Sequence, residues 1–277
     1  MTNTPIQSPW WKFDYWPQKA LNGSAKFWFL TVLIGQAIFS YYIVMFYYLA
    51  IFNQDLERFN QVMPAGHIDG DTLGNFAVMA HVFFAAIITV GGLLQLFPMI
   101  RKNWPSLHRW NGRIYVMVAM IMSLSGMVMI ITRYEKIVGN IIGHASIMIN
   151  SFIIIVTAIM AFKHARQRQF HNHRTWALRL FVAVSGVWMF RIGLMAWLSI
   201  HGKPVGFNPA TLTGPFISIL YVMVYIVPLM LLELYFRSQI SNSGLLKITT
   251  ALTVSMISGI FTLGVFAATM GMWLPRM

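Results

Sequence analysis

Seven apolar runs, each long enough to cross a bilayer, constrain this chain more than any other feature. They lie at roughly 27–52, 76–98, 113–132, 141–162, 177–200, 215–236 and 248–273. About 20 predominantly apolar residues suffice for one helical crossing. The connections are short, and no stretch is long and polar enough for a soluble domain. Composition agrees: 57% of the 277 residues are hydrophobic and only 10% are charged. Soluble domains carry about 25% charged residues. The expected fold is therefore an all-α integral membrane protein of seven transmembrane helices. Residues 1–26, with Trp10, Trp11, Trp16, Lys12, Lys19 and Lys26, read as an interfacial N-terminal segment. Residues 27–277 read as one membrane domain. A cleavable signal peptide is not expected, because the first apolar run is too long and starts too late.

The loops set an orientation. The chain carries 20 Lys and Arg against 7 Asp and Glu. In a soluble protein such a surplus suggests nucleic acid; here it concentrates in alternate loops. The loop at 53–75 has Asp55, Glu57, Asp69 and Asp71 with only Arg58. The next, 99–112, has Arg101, Lys102 and Arg109. Arg133, Lys136 and Glu135 follow at 133–140, then Lys163, Arg166, Arg168 and Arg174 at 163–176. Basic residues collect on the cytoplasmic side of membrane proteins. This predicts a multi-pass protein of the bacterial inner membrane, N-terminus in the cytoplasm and C-terminus outside.

Histidine carries the chemical signal. The chain has no Cys, which excludes thiolate metal sites, iron–sulfur clusters and a Cys nucleophile. Of its eight His, four fall one to each of four consecutive spans: His81, His108, His144 and His173. Antiparallel helices alternate direction, so His81 and His144 share the outer level and His108 and His173 the inner one. If spans 2–5 form a four-helix bundle over about 75–200, each pair faces across its core. Two imidazoles at one depth suit the axial positions of a haem iron, and helix bundles build such sites from facing helices. Helix rise puts the two levels ~20 Å apart. The plainer account is that polar side chains avoid the bilayer centre, so histidines near helix ends are ordinary. His81 fits that account least, because it lies within AVMAHVFFAAIITV.

Arginines supply the second set of candidates. Arg191 sits inside span 5, where an unpartnered Arg costs at least ~2.5–3.5 kcal/mol on insertion scales. Its expected partner is a propionate of the outer haem or a substrate oxygen; snorkelling and backbone carbonyls are the alternatives. Arg109, Arg113, Arg174 and Arg179 crowd the inner histidines and would hold propionates or an anionic donor, although orientation alone explains most of them. Glu233 is expected to face Arg237 one turn later. Pro105 suits the first turn of a helix and places His108 in the opening turn of span 3. Pro228 is the one expected kink. His171 is the rival of His173 as a ligand, while His67, His164 and His201 read as loop residues. Small residues such as Gly91, Gly92, Gly112, Gly126, Gly143 and Gly186 recur in spans 2–5. They suit close helix contact, or room for a porphyrin. Spans 1, 6 and 7 hold no His within them and read as peripheral.

SLHRWNGRIYV (106–116) and HRTWALR (173–179) resemble the paired motifs of a bacterial family of predicted membrane proteins of unknown function, DUF2306. His81, Gln95 and Pro98 match its earlier helix. The resemblance covers about 75–200 and implies a membrane fold but no activity. More distantly, LHRWNG resembles the Leu-His-Ser-Trp-Leu-Gly of the two-haem, ascorbate-reducible cytochromes b of the 561-nm type. That resemblance implies two haems b, ligated by His81 with His144 and by His108 with His173, and Arg109 departs from it where that family has Ser.

The leading expectation is a b-type cytochrome-like electron carrier or transmembrane oxidoreductase, with quinone or a small molecule as donor or acceptor. The alternative is a haem-free transporter, assembly or structural protein using the His/Arg cluster for protons or anions. No inverted repeat is visible to support a transporter. A retinal protein is excluded because span 7 lacks an internal Lys; Lys247 lies at its boundary.

Overall fold

The computed structural model describes residues 15–63, 65–132 and 139–277. Trp10, Trp11 and Lys12, and Arg133, Glu135 and Lys136, lie outside the described residues. The described chain is helical, with a single isolated bridge, Asn208 to Thr213. Six helices are long and apolar enough to cross a membrane, and a bent pair makes a seventh span if taken as one. This is an all-α integral membrane protein.

We number the helices in chain order. Helix α1 is Tyr15–Ile43, prolonged by a widened π turn (Val44–Tyr48) and Leu49–Phe52. Helix α2 is Thr72–Leu96, α3 Pro105–Thr132 and α4 Ile141–Arg166. Span 5 divides into α5, Phe170–Val184, and α6, Gly186–His201. Helices α7, Pro215–Ile240, and α8, Gly244–Ala268, complete the set.

Local chemistry sets the boundaries. The Asp71 side chain accepts the Gly74 N–H at 2.9 Å, and Asn140 accepts that of Gly143 at 2.9 Å. Each thereby satisfies a backbone donor that a helix start leaves free. Phe97 and Trp104 leave helical geometry because each precedes a proline, which crowds the α conformation. Between them runs a short helix, Pro98–Asn103. Pro105 then opens α3, where its missing N–H is no loss.

Helices α2, α3, α4 and α5 share a core of Ile88, Tyr115, Val118, Ala119, Ile154, Ala158, Leu180 and Ala183. The expected four-helix bundle is therefore present. Spans 1 and 7 are not peripheral, contrary to expectation. They pack on each other and on α6 around a larger core containing Tyr42, Phe46, Trp188, Ile192 and Trp273. Trp273 and Tyr42 are 0% exposed. The reason is steric: Gly264 brings α8 against the Ile192 carbonyl, where no Cβ would fit. Small residues at such crossings are how membrane helices gain van der Waals contact when lipid offers no hydrophobic drive.

Span 5 was expected as one helix over 177–200, but it bends by 50° at Ser185. Ser–Gly pairs are common kink sites. Here Ser185 Oγ donates to the Phe181 carbonyl at 2.8 Å and accepts Gln36 Nε2 from α1 at 2.9 Å. Asn150 Nδ2 of α4 donates to the Ala183 carbonyl at 3.1 Å. The Tyr225 ring occupies the place a Cβ on Gly186 would take. Pro228, the expected kink, lies inside a continuous α7.

Candidate functional site

The shared sequence motif first splices α2 to α3. Gln95 Nε2 donates to the His108 carbonyl at 3.0 Å, and Asn111 Nδ2 to the Gly91 carbonyl at 2.8 Å. A Cβ on Gly92 would approach the Tyr115 ring at 3.0 Å and the Phe181 ring at 3.1 Å. Thus the two glycines let α3 and α5 close on α2, and His108 is set in depth beside Gln95. From position 81 to position 95 is ~21 Å of helix at 1.5 Å per residue. On α3, position 108 to position 125, which meets His81, spans ~26 Å. The two histidine levels are therefore separated by about the distance expected from the sequence.

At the basic end, His173 Nδ1 lies 3.0 Å from the Ala161 carbonyl. A carbonyl only accepts, so Nδ1 carries a proton, and in the neutral ring Nε2 has the lone pair. His108 lies in the opening turn of α3, as expected, and its Nδ1 is buried without a hydrogen-bond partner. Its first electrostatic neighbour is His173, followed by Arg101 and Arg109. The charge of His173 thus reaches His108. His171 is fully on the exposed side of α5, which separates it from His173.

At the acidic end, His81 Nδ1 lies 3.2 Å from Ser125 Oγ, whose own proton goes to the Met122 carbonyl at 3.0 Å. His81 therefore donates through Nδ1 and, like His173, keeps Nε2 as an acceptor. Gly126 leaves open space beside the ring: a Cβ there would stand 3.9 Å from His81 Cε1. His144 is 7% exposed. Its Nε2 and the Tyr221 hydroxyl both flank Gly139, at 3.5 and 3.7 Å from where a Cβ would sit. Tyr221 in turn stacks on Phe190 at 4.4 Å.

Arg191 follows Phe190, and its charge acts on His81, Tyr221, Tyr42 and Tyr47. Its guanidinium lies 5.6 Å from the Phe39 ring centroid. The π turn of α1 helps to assemble this cage, since π bulges rotate consecutive side chains onto different neighbours. Tyr47 packs edge-on to Phe59, while the Tyr48 hydroxyl donates to the Phe83 carbonyl of α2. No motif or spacing in the sequence pointed to Tyr42, Tyr47 or Tyr221. Gly139 and Gly143, one turn apart, were the nearest clue: a Cβ on Gly143 would meet the Tyr221 ring at 2.7 Å.

The remaining arginines disperse. Arg179 forms a two-point ion pair with Glu233, at 2.6 and 3.0 Å. This corrects two expectations: Glu233 does not face Arg237, and Arg179 is held across α5 and α7 rather than free for a cofactor. Its guanidinium also stacks on Trp176 at 4.5 Å. Arg113 is exposed and lies over Trp110 at 4.9 Å, a surface arrangement. Arg109 and Arg174 are exposed. Among the described residues, no group of three or more His, Cys, Asp or Glu converges as a metal cluster. His201 ends α6, exposed, with its ring against Trp197.

These features define a multi-span membrane protein whose central helices carry one buried imidazole, His144, and three half-buried ones at two depths. The family profile described as predicted membrane protein (DUF2306) matches residues 78–227, more than half the chain. The chain belongs to that family, as the paired motifs indicated. No curated protein and no solved structure matches the chain.

Proposed function

We propose that this protein is a b-type cytochrome-like transmembrane electron carrier, with two haems held by His108 and His173 at one level and His81 and His144 at the other. One observation carries the reading. His173 and His81, on different helices and at different depths, each spend Nδ1–H on a fixed oxygen and keep Nε2 available. Histidine ligands to metals are oriented by such a bond to the second nitrogen. Half-buried His108 departs from this pattern, because its Nδ1 has no hydrogen-bond partner. Each level offers two imidazoles, which is the side-chain complement of a six-coordinate haem. Haem, when bound, supplies a one-electron iron couple.

The chain's own residues do the rest. Arg191 would neutralise a propionate or an anionic substrate at the acidic level, with its guanidinium beside the Phe39 ring. Arg101 and Arg109, whose charge acts on His108, would do so at the basic level. The packed core around Val118, Ala119 and Ala158 excludes water between the levels. The positive-inside pattern supports a bacterial inner-membrane protein with a cytoplasmic N-terminus and an outside C-terminus. Lipid-facing helices favour a quinone as donor or acceptor. As an enzyme it would be a transmembrane oxidoreductase.

A haem-free transporter or structural protein is the second reading. The break at Ser185, two turns from Arg191, favours it, because broken helices mark many transport sites. A reduced-minus-oxidised spectrum of the purified protein decides. A b-type α-band is expected, and its absence after expression with ample haem would reject the cytochrome reading.

A further inference from the structure

A second site lies away from the histidines, in the basic half, where α1, α5, α7 and α8 meet. It is a cavity of about 210 Å³. Trp28 and Phe29 of α1, Phe261 of α8 and Leu231 of α7 form apolar walls. Its polar lining includes Arg174 and Tyr235; the Arg174 charge acts on the Tyr235 hydroxyl, which Gln239 also reaches. Arg174 adjoins His173 in sequence, so the cavity opens beside the basic histidine level.

We infer that this cavity binds the head ring of a quinone, with Arg174 and Tyr235 donating to one carbonyl oxygen. A concave, mostly apolar site with a few converging polar groups is the usual form of a small-molecule site. The polar groups are both donors: a guanidinium has no acceptor, and a tyrosine hydroxyl can turn its proton toward an oxygen. The ligand must therefore present an acceptor at one end and apolar surface elsewhere. Aromatic walls suit a flat ring. The volume lies below the ~300–1,000 Å³ of sites for drug-sized ligands, so a single ring fits and a porphyrin does not. Two acyl chains of a phospholipid exceed it as well, which favours the quinone over a lipid anion at Arg174. The assignment of quinone as electron partner rests on the cytochrome reading; the binding itself does not.

The full chain in phosphatidylcholine nanodiscs, photolabelled with an azido-substituted decylubiquinone, tests this. Label is expected on peptides containing residues 174–182 and 228–235 and should be suppressed by excess decylubiquinone. Leu231→Trp should abolish it by filling the cavity. Tyr235→Phe, which keeps the ring and the fold, should weaken competition about tenfold, the loss of one hydrogen bond. Labelling unchanged in both variants, or displaced by phosphatidylglycerol but not by decylubiquinone, would overturn the site. The readout needs no haem. A missing α-band with intact labelling rejects the cytochrome reading alone, and the reverse result rejects the cavity alone.

Discussion

The two histidine levels are built on different principles. At the acidic end, His144 is buried, and one arginine stands among four aromatic rings and hydroxyls. At the basic end, His108 and His173 sit within a turn of their helix starts, with Arg101, Arg109 and Arg174 exposed around them. One level is specified by packing, so its chemistry is shielded and hard to alter without disturbing the fold. The other is specified by hydrogen bonds to backbone carbonyls under a charged rim, so it is open to salt and to soluble partners. A carrier with one closed and one open end would exchange electrons on unequal terms with its two sides.

The sharpest way to break this contrast is Gly186→Leu. The new side chain would occupy the place of the Tyr225 ring, and the core beneath the acidic level should lose ~1–3 kcal/mol, enough to cut folded yield sharply by size-exclusion chromatography. A stable, monodisperse variant would show that the bend is not packing-determined. Next come His81→Ala and His108→Ala. Each should remove one of two b-type components from the spectrum and leave the other, and loss of neither would reject these ligands. A smaller effect is expected from Gln95→Ala, which frees the His108 carbonyl. Stability in detergent should fall by ~1 kcal/mol, and, if the proposed haems are bound, the spectrum should change more at the basic level than at the acidic one. An unshifted basic component would mean that the α2–α3 splice does not position His108. Smallest is Glu233→Gln. The pair is partly exposed, with side chains 23% and 42% accessible, so ~0.5 kcal/mol is expected, and less in high salt. A loss that does not change with salt would show that the pair is shielded from solvent.

The spans were legible because a bilayer demands length and apolarity, and both are local properties of sequence. Capping residues Asp71 and Asn140 and the prolines at 98 and 105 fixed their ends in the same local way. The bend at Ser185 was not legible. Its cause is Tyr225 on another helix, and no rule about Ser or Gly alone reveals that ring. Pro228 drew attention instead, although its helix runs on. Arg179–Glu233 was missed for a related reason: one-turn pairing is visible in sequence, whereas a partner 54 residues away is not. The histidine order was readable, and the choice of His173 over His171 stands on the carbonyl that only His173 reaches. The aromatic cage of Arg191 became visible only when α1 and α8 proved central.

The bend has a geometric consequence of its own. From His173 to Arg191 is about five full turns at 3.6 residues per turn, so in a straight helix both would lie on one stripe. The 50° change of axis sends them into different neighbourhoods. Leu180 and Ala183, before the bend, complete the four-helix core; Trp188, Met189 and Ile192, after it, complete the core of α1 and α8. One span thus serves as the shared wall of two adjoining rooms, and Ser185, pinned by Gln36, is the corner post between them.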